Sequence, residues 1–137
     1  MPISSIFQGN YQNVPSNTPS SEGEVVNSYE DTTDVRTNHD IPSLAFSALL
    51  KGFRAIITVT VTVNVDTEDP SPNLSETFEI LGTNDGTSWS ISQTSIANTN
   101  GAANITFDIT SAGQMRYSST STTGFTKRTL VWSVLAL

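Results

Sequence analysis

The stretch FRAIITVTVTVNVD, Phe53 to Asp66, decides the fold. Phe53, Ala55, Ile57, Val59, Val61, Val63 and Val65 fall on one parity, and Thr58, Thr60, Thr62 and Asn64 on the other. Side chains alternate across a strand with a period of two, and β-branched residues favour that state. The stretch therefore predicts a long strand with an aliphatic inner face and a threonine-rich outer face.

Weaker copies of the same pattern follow. TEDPSPN, Thr67 to Asn73, carries two prolines and reads as a turn or loop. In SETFEILG, Phe78 and Ile80 point inward. Asn84-Asp85-Gly86 tolerates the positive φ of a tight hairpin turn, and Trp89 and Ile91 alternate with serines beyond it. After a loop at Ala97 to Asn104, Ile105, Phe107 and Ile109 alternate with polar residues. Ser111-Ala112-Gly113 turns the chain into Met115 and Tyr117. The final stretch, FTKRTLVWSVLAL, sets Leu130, Trp132, Val134 and Ala136 on one parity and Val131, Leu135 and Leu137 on the other. A strand apolar on both faces calls for cover from elsewhere, either the N-terminal arm or another subunit.

About seven or eight short strands at roughly ten-residue intervals, with no firm helix, are the signature of an all-β antiparallel β-sandwich or jelly roll. That domain is expected over residues 43–137. SLAFSALLKG, Ser43 to Gly52, fits a helix or a strand equally, being too short for its period to decide. Residues 1–42 are polar and punctuated by Pro15, Pro19 and Pro42, and read as an extended arm. Within the arm Val25, Val26 and Tyr29 suit one short strand, and Ile3, Ile6 and Phe7 form an apolar tip. The arm reads first as a floppy terminus, and alternatively as one whose apolar tip orders on a neighbouring subunit.

Composition narrows the function. The 137 residues suit one domain with a tail. With no cysteine, disulfides, thiolate metal sites and cysteine nucleophiles are excluded. A net charge of -7 argues against nucleic acid as a partner. No run approaches the roughly 18 to 20 apolar residues of a membrane span, and MPISSIFQGNYQNVP has neither the basic start nor the apolar core of a signal peptide. No membrane partner is expected.

Catalytic constellations are missing. His39 is the single histidine, it sits beside Asp40, and no G-x-S-x-G turn accompanies it. Glu76 and Glu79 fall on opposite faces of their strand, against a paired-carboxylate glycosidase site. Asp66, Glu68 and Asp69 lack the glycine-punctuated pattern of a calcium loop. No catalytic residue, cofactor or metal is therefore expected. Trp89, Tyr117 and Trp132 share the parity of aliphatic neighbours and read as core rather than as a sugar-stacking platform. Tyr11 and Tyr29 are freer to meet a partner. The segment from Ser111 to Leu137 contains Arg116, Lys127 and Arg128 and no acid, whereas residues before Ser43 hold six acids and Arg36. That asymmetry reads first as a solvated face, with head-to-tail matching between subunits as the alternative.

ETFEILGTNDGTSWSIS, Glu76 to Ser92, then AANITFDITSAGQMRYSSTSTTGF, Ala102 to Phe125, and the apolar last strand resemble a small β-domain that recurs in bacteriophage virion proteins, especially tail and fibre components. The likeness runs from Ala45 to Leu137. It implies turns at Gly82 and Gly113, core positions at Trp89, Phe107 and Tyr117, and no catalytic residues. It further implies a structural role in a virion assembled in the host cytoplasm, commonly as a homotrimer. A short chain with an arm looks most like a capsid decoration or cement protein contacting other virion proteins such as the major capsid protein. The competing expectation is a tail, spike or fibre module that binds a host receptor or glycan. The assembly candidates are Ile3, Ile6, Phe7, Tyr11, Tyr29, Val131, Leu135 and Leu137.

Overall fold

The computed structural model of the chain describes residues 27–64 and 73–137. Every helix or strand among them is a strand: β1 (Asn27–Asp31), β2 (Arg36–Ala45), β3 (Gly52–Val63), β4 (Leu74–Asn84), β5 (Trp89–Thr99), β6 (Ile105–Ile109), β7 (Gln114–Ser119) and β8 (Phe125–Ala136). They form a five-stranded sheet, β1-β8-β3-β4-β5, and a three-stranded sheet, β2-β7-β6. All neighbouring strands are antiparallel. The all-β sandwich expected from the sequence is what the chain forms.

The alternation in β3 does what its pattern predicts. Phe53, Ala55, Ile57, Val59 and Val61 are fully buried, while Thr58, Thr60 and Thr62 look outward. Burying one such aliphatic side chain stabilises the fold by about 1.5–3 kcal/mol. The row therefore outweighs any single surface contact. Phe78, Ile80, Trp89, Leu130 and Trp132 extend this face, and Ile41, Ile105, Phe107, Met115 and Tyr117 meet it from the other sheet. Trp89, Tyr117 and Trp132 lie in the core, as their parity implied.

Four expectations need correction. The residues assigned to an arm through Pro42 include β1 and most of β2, which pair with β8 and β7 respectively. Period two is hidden in β2 because its register slips twice, between Arg36 and His39 and between Asp40 and Ala45, with Asn38 and Ser43 at positive φ. Pro42 is accommodated there because β2 is an edge strand, where a missing N–H is tolerated. Gly82, expected in a turn, lies inside β4, and β5 runs on to Thr99 through the expected loop. SLAFSALLKG is neither helix nor a full strand: β2 ends at Ala45 and a turn follows. Val25, Val26 and the Thr67 to Pro72 part of the predicted loop lie outside the described residues.

Where β5 crosses to β6, a side chain closes the gap between the sheets. Gln93 Oε1 accepts from Phe107 N at 2.8 Å and its Nε2 donates to Ile105 O at 3.3 Å. The amide thus pairs with β6 as a strand neighbour would, satisfying groups that burial would otherwise penalise.

Candidate functional site

The opposite seam, where β1 passes to β2, holds the densest cluster of buried polar groups. Asp31 ends β1 and is 3% exposed. Its carboxylate accepts from Arg36 Nε at 2.8 Å and Nη2 at 2.9 Å, from Thr33 N at 3.0 Å, and from the Tyr117 hydroxyl. Burial pushes the Asp31 carboxyl up, but the Arg36, Tyr117 and Thr33 hydrogen bonds together outweigh it and hold the group well below the usual carboxylate range. The Tyr117 hydroxyl moves the other way, raised by burial and by donating to Asp31.

Arg128 completes the seam from β8. It is fully buried and donates from Nη1 to Thr33 O at 3.1 Å and from Nη2 to Asp34 O at 2.8 Å. Its guanidinium lies 4.9 Å from the Phe125 ring centroid and 5.6 Å from that of Tyr117. Asp34 in turn accepts from Ser121 Oγ and Thr122 N, tying the β1–β2 turn to the β7–β8 loop. A carboxylate locked in its ionised form among four donors is poorly placed to act as an acid or base near neutral pH. The cluster is built to hold two loops together.

The remaining candidates separate in space. Tyr29 sits in β1, half-buried, with its hydroxyl 2.8 Å from His39 Nε2 and its ring stacked on the imidazole at 5.9 Å. His39 is half-buried in β2, between Tyr29 and Tyr117, which it meets edge-on at 5.6 Å. Glu76 and Glu79 do lie on opposite faces: Glu76 is buried and accepts from Ala103 N at 2.8 Å and Ser95 Oγ at 2.6 Å. Glu79 pairs outside with Arg54 at 2.6 Å. Among the described residues no group of three His, Asp or Glu side chains is placed to hold a metal ion. Asp66, Glu68 and Asp69 lie outside them, as do Ile3, Ile6, Phe7 and Tyr11.

Among the described residues two surfaces are exposed. One is a shallow depression of ≈ 490 Å³ at the end of the three-stranded sheet, lined by Arg36, Asn104, Ile105 and the hydroxyl residues around them. Hydroxyls and amides dominate it, and two of the Arg36 nitrogens are already bound to Asp31. The other is the outer face of the five-stranded sheet, where Val131 is 39% exposed, Leu81 45% and Leu135 59%. Leu137 is 65% exposed just past β8, its N–H donating to Gly52 O at 2.8 Å.

The fold recurs in a viral spike. The chain is similar to part of the Acinetobacter phage vB_ApiP_P1 tailspike protein, with a TM-score of 0.51 and 18% sequence identity. The match covers 93% of this chain and 25% of the tailspike, so the chain spans about a quarter of that protein's length. No family model and no curated protein matches the sequence.

The tailspike likeness thus rests on architecture. The buried charges that stabilise this architecture here were missed in the sequence, although a signal existed. Arg128 shares the parity of Leu130 and Trp132, and Glu76 that of Phe78 and Ile80. A charge on the apolar parity of a strand marks an internal hydrogen-bonding role.

Proposed function

We propose that this chain is a non-enzymatic structural β-domain of a bacteriophage particle. The observation that carries the reading is the shared architecture: nearly the whole chain superposes on a domain-sized part of a phage tailspike. The chemistry agrees with it. Asp31, Asp34 and Glu76 bind loops, Glu79 and Asp108 pair with Arg54 and Arg116, and His39 bonds Tyr29. A rigid sandwich with neutral hydroxyl-rich faces serves as a building block, either decorating a capsid or forming part of a tail or spike, in contact with other virion proteins.

Gold-conjugated antibody against the folded domain, applied to purified particles of the phage that encodes it, tests the reading. Gold on the capsid assigns decoration and gold on the tail assigns a spike or fibre component. Particles that remain bare while the chain is abundant in the lysate overturn it.

A further inference from the structure

We infer that Asn100 is a modification site, at which the chain converts its own side-chain amide into a carboxylate as a mixture of aspartate and isoaspartate. The turn that carries β5 toward β6 sets up the reacting pair. Asn100 and Gly101 follow Thr99, the last residue of β5 paired with β4, and both stand at positive φ, 66° and 116°. Glycine and asparagine are the residues that take that backbone most readily. The sequence holds no other Asn-Gly pair. Asparagine is a thermolabile residue, and a glycine after it leaves the intervening N–H without a side chain to shield it.

Nucleophile and electrophile sit on adjacent residues, so the step is intramolecular. The Gly101 nitrogen gives its proton to solvent base and attacks Asn100 Cγ. A C–N bond forms, the Cγ–Nδ2 bond breaks, and the departing nitrogen takes a proton from water and leaves as ammonia. Water then opens the cyclic imide. Cleavage of the new bond at Cγ gives aspartate. Cleavage at the main-chain carbonyl carbon gives isoaspartate, with the backbone rerouted through the side chain.

The surroundings allow the step at Asn100. Both residues of the pair are exposed. Ring closure rotates the Asn100–Gly101 peptide, and in the direction a Gly101 Cβ would take the nearest atom is Leu74 Cδ2 at 3.8 Å. Among the described residues the Gly101 N–H has no acceptor, and Asn100 is held by an exposed bond from its Nδ2 to Asn73 O at 3.0 Å. Asp85-Gly86 shows the protected alternative. There Gly86 N donates to Asn84 Oδ1 at 3.0 Å, while Asp85 Oδ1 accepts from Thr87 N at 2.8 Å and Ser88 N at 2.9 Å. The Ser88 and Thr87 N–H groups also hold the Asp85 carboxyl below its ordinary value, in the ionised form that a nucleophile attacks poorly. Conversion at Asn100 replaces a donor with a carboxylate, so the bond to Asn73 O is lost and a further negative charge joins the -7 of the chain.

The inference does not rest on the particle reading. Peptide mapping by mass spectrometry, with fragmentation that separates aspartate from isoaspartate, tests it on the full folded chain held in mildly alkaline buffer at body temperature. Asn98 and Asn104, followed by Thr99 and Ile105, are controls in the same stretch. The expected result is conversion at Asn100 several-fold faster than at either control, with isoaspartate among the products and isoaspartate at Asp85 lagging behind. The same chain unfolded in urea gives the rate without the turn, and the folded rate is expected to stay within a few-fold of it. Conversion at Asn100 no faster than at Asn98 overturns the inference. So does an Asn100 that keeps its amide in the folded chain while converting in urea, because the fold then protects the pair. A product that is aspartate alone overturns the cyclic imide step, and isoaspartate at Asp85 arising as fast as at Asn100 overturns the geometric contrast.

Discussion

The ring of Phe53 fills the space into which a side chain at Gly82 would project. The two residues are register partners on β3 and β4, both buried. Phe46 closes the other side of the ring, stacked at 3.8 Å with planes 4° apart. The ring cannot retreat directly away from Gly82 without displacing Phe46. Gly82→Ala is therefore expected to destabilise the domain by about 1–3 kcal/mol, the usual cost of overpacking. Phe53→Leu makes room, so the double variant should be more stable than the sum of the single losses implies. Urea midpoints of the four proteins check this.

Asp31 makes stability depend on acid. Its folded pKa lies below the unfolded value, so its contribution is fully present above the unfolded pKa of about 3.9 and is lost as pH falls through the folded pKa. The unaltered chain should lose stability progressively below about pH 4, and Asp31→Asn should lose less over the same range while starting lower at neutral pH. Asp31→Ala leaves Arg36 and Tyr117 without their shared acceptor and should cost about 3–5 kcal/mol at pH 7. Urea titrations at a series of pH values measure both; parallel acid slopes for the unaltered chain and Asp31→Asn would contradict the assignment.

Glu76 anchors the β5–β6 connection from inside the core. Glu76→Ala leaves the buried Ala103 N–H without an acceptor and should cost about 1–3 kcal/mol. Glu76→Gln keeps an acceptor oxygen and should cost less. Hydrogen exchange at Ala103 gives the local readout: fast in Glu76→Ala, intermediate in Glu76→Gln, slow in the unaltered chain.

What the sequence made legible follows its periodicity. Phe53 to Val63 alternates without a break, and the strand, its inward face and its threonine face all follow from that. The Asn84-Asp85-Gly86 hairpin is legible for a local reason: Asn84 Oδ1 accepts from Gly86 N, and Asp85 Oδ1 from Thr87 N and Ser88 N. β2 was hidden because RTNHDIPSLA spans two register shifts, which reset the inward parity before a pattern can accumulate. Gly82 read as a turn because the partner that requires a glycine, Phe53, lies 29 residues away in sequence. The Asp31 cluster joins residues from β1, β2 and β7, with Asp31 and Tyr117 86 residues apart, a proximity no local pattern encodes. Of the assembly candidates, Val131 and Leu135 emerge together on one open face, whereas Tyr29 turns inward to His39.

The central claim is that this sandwich belongs to a phage particle as a building part. Quantitative peptide mass spectrometry on density-purified particles of the encoding phage tests it most directly. The account predicts peptides of this chain at a fixed ratio to the major capsid protein, unchanged by repeated purification. Loss of those peptides on purification, with the chain left in the soluble lysate, would contradict it.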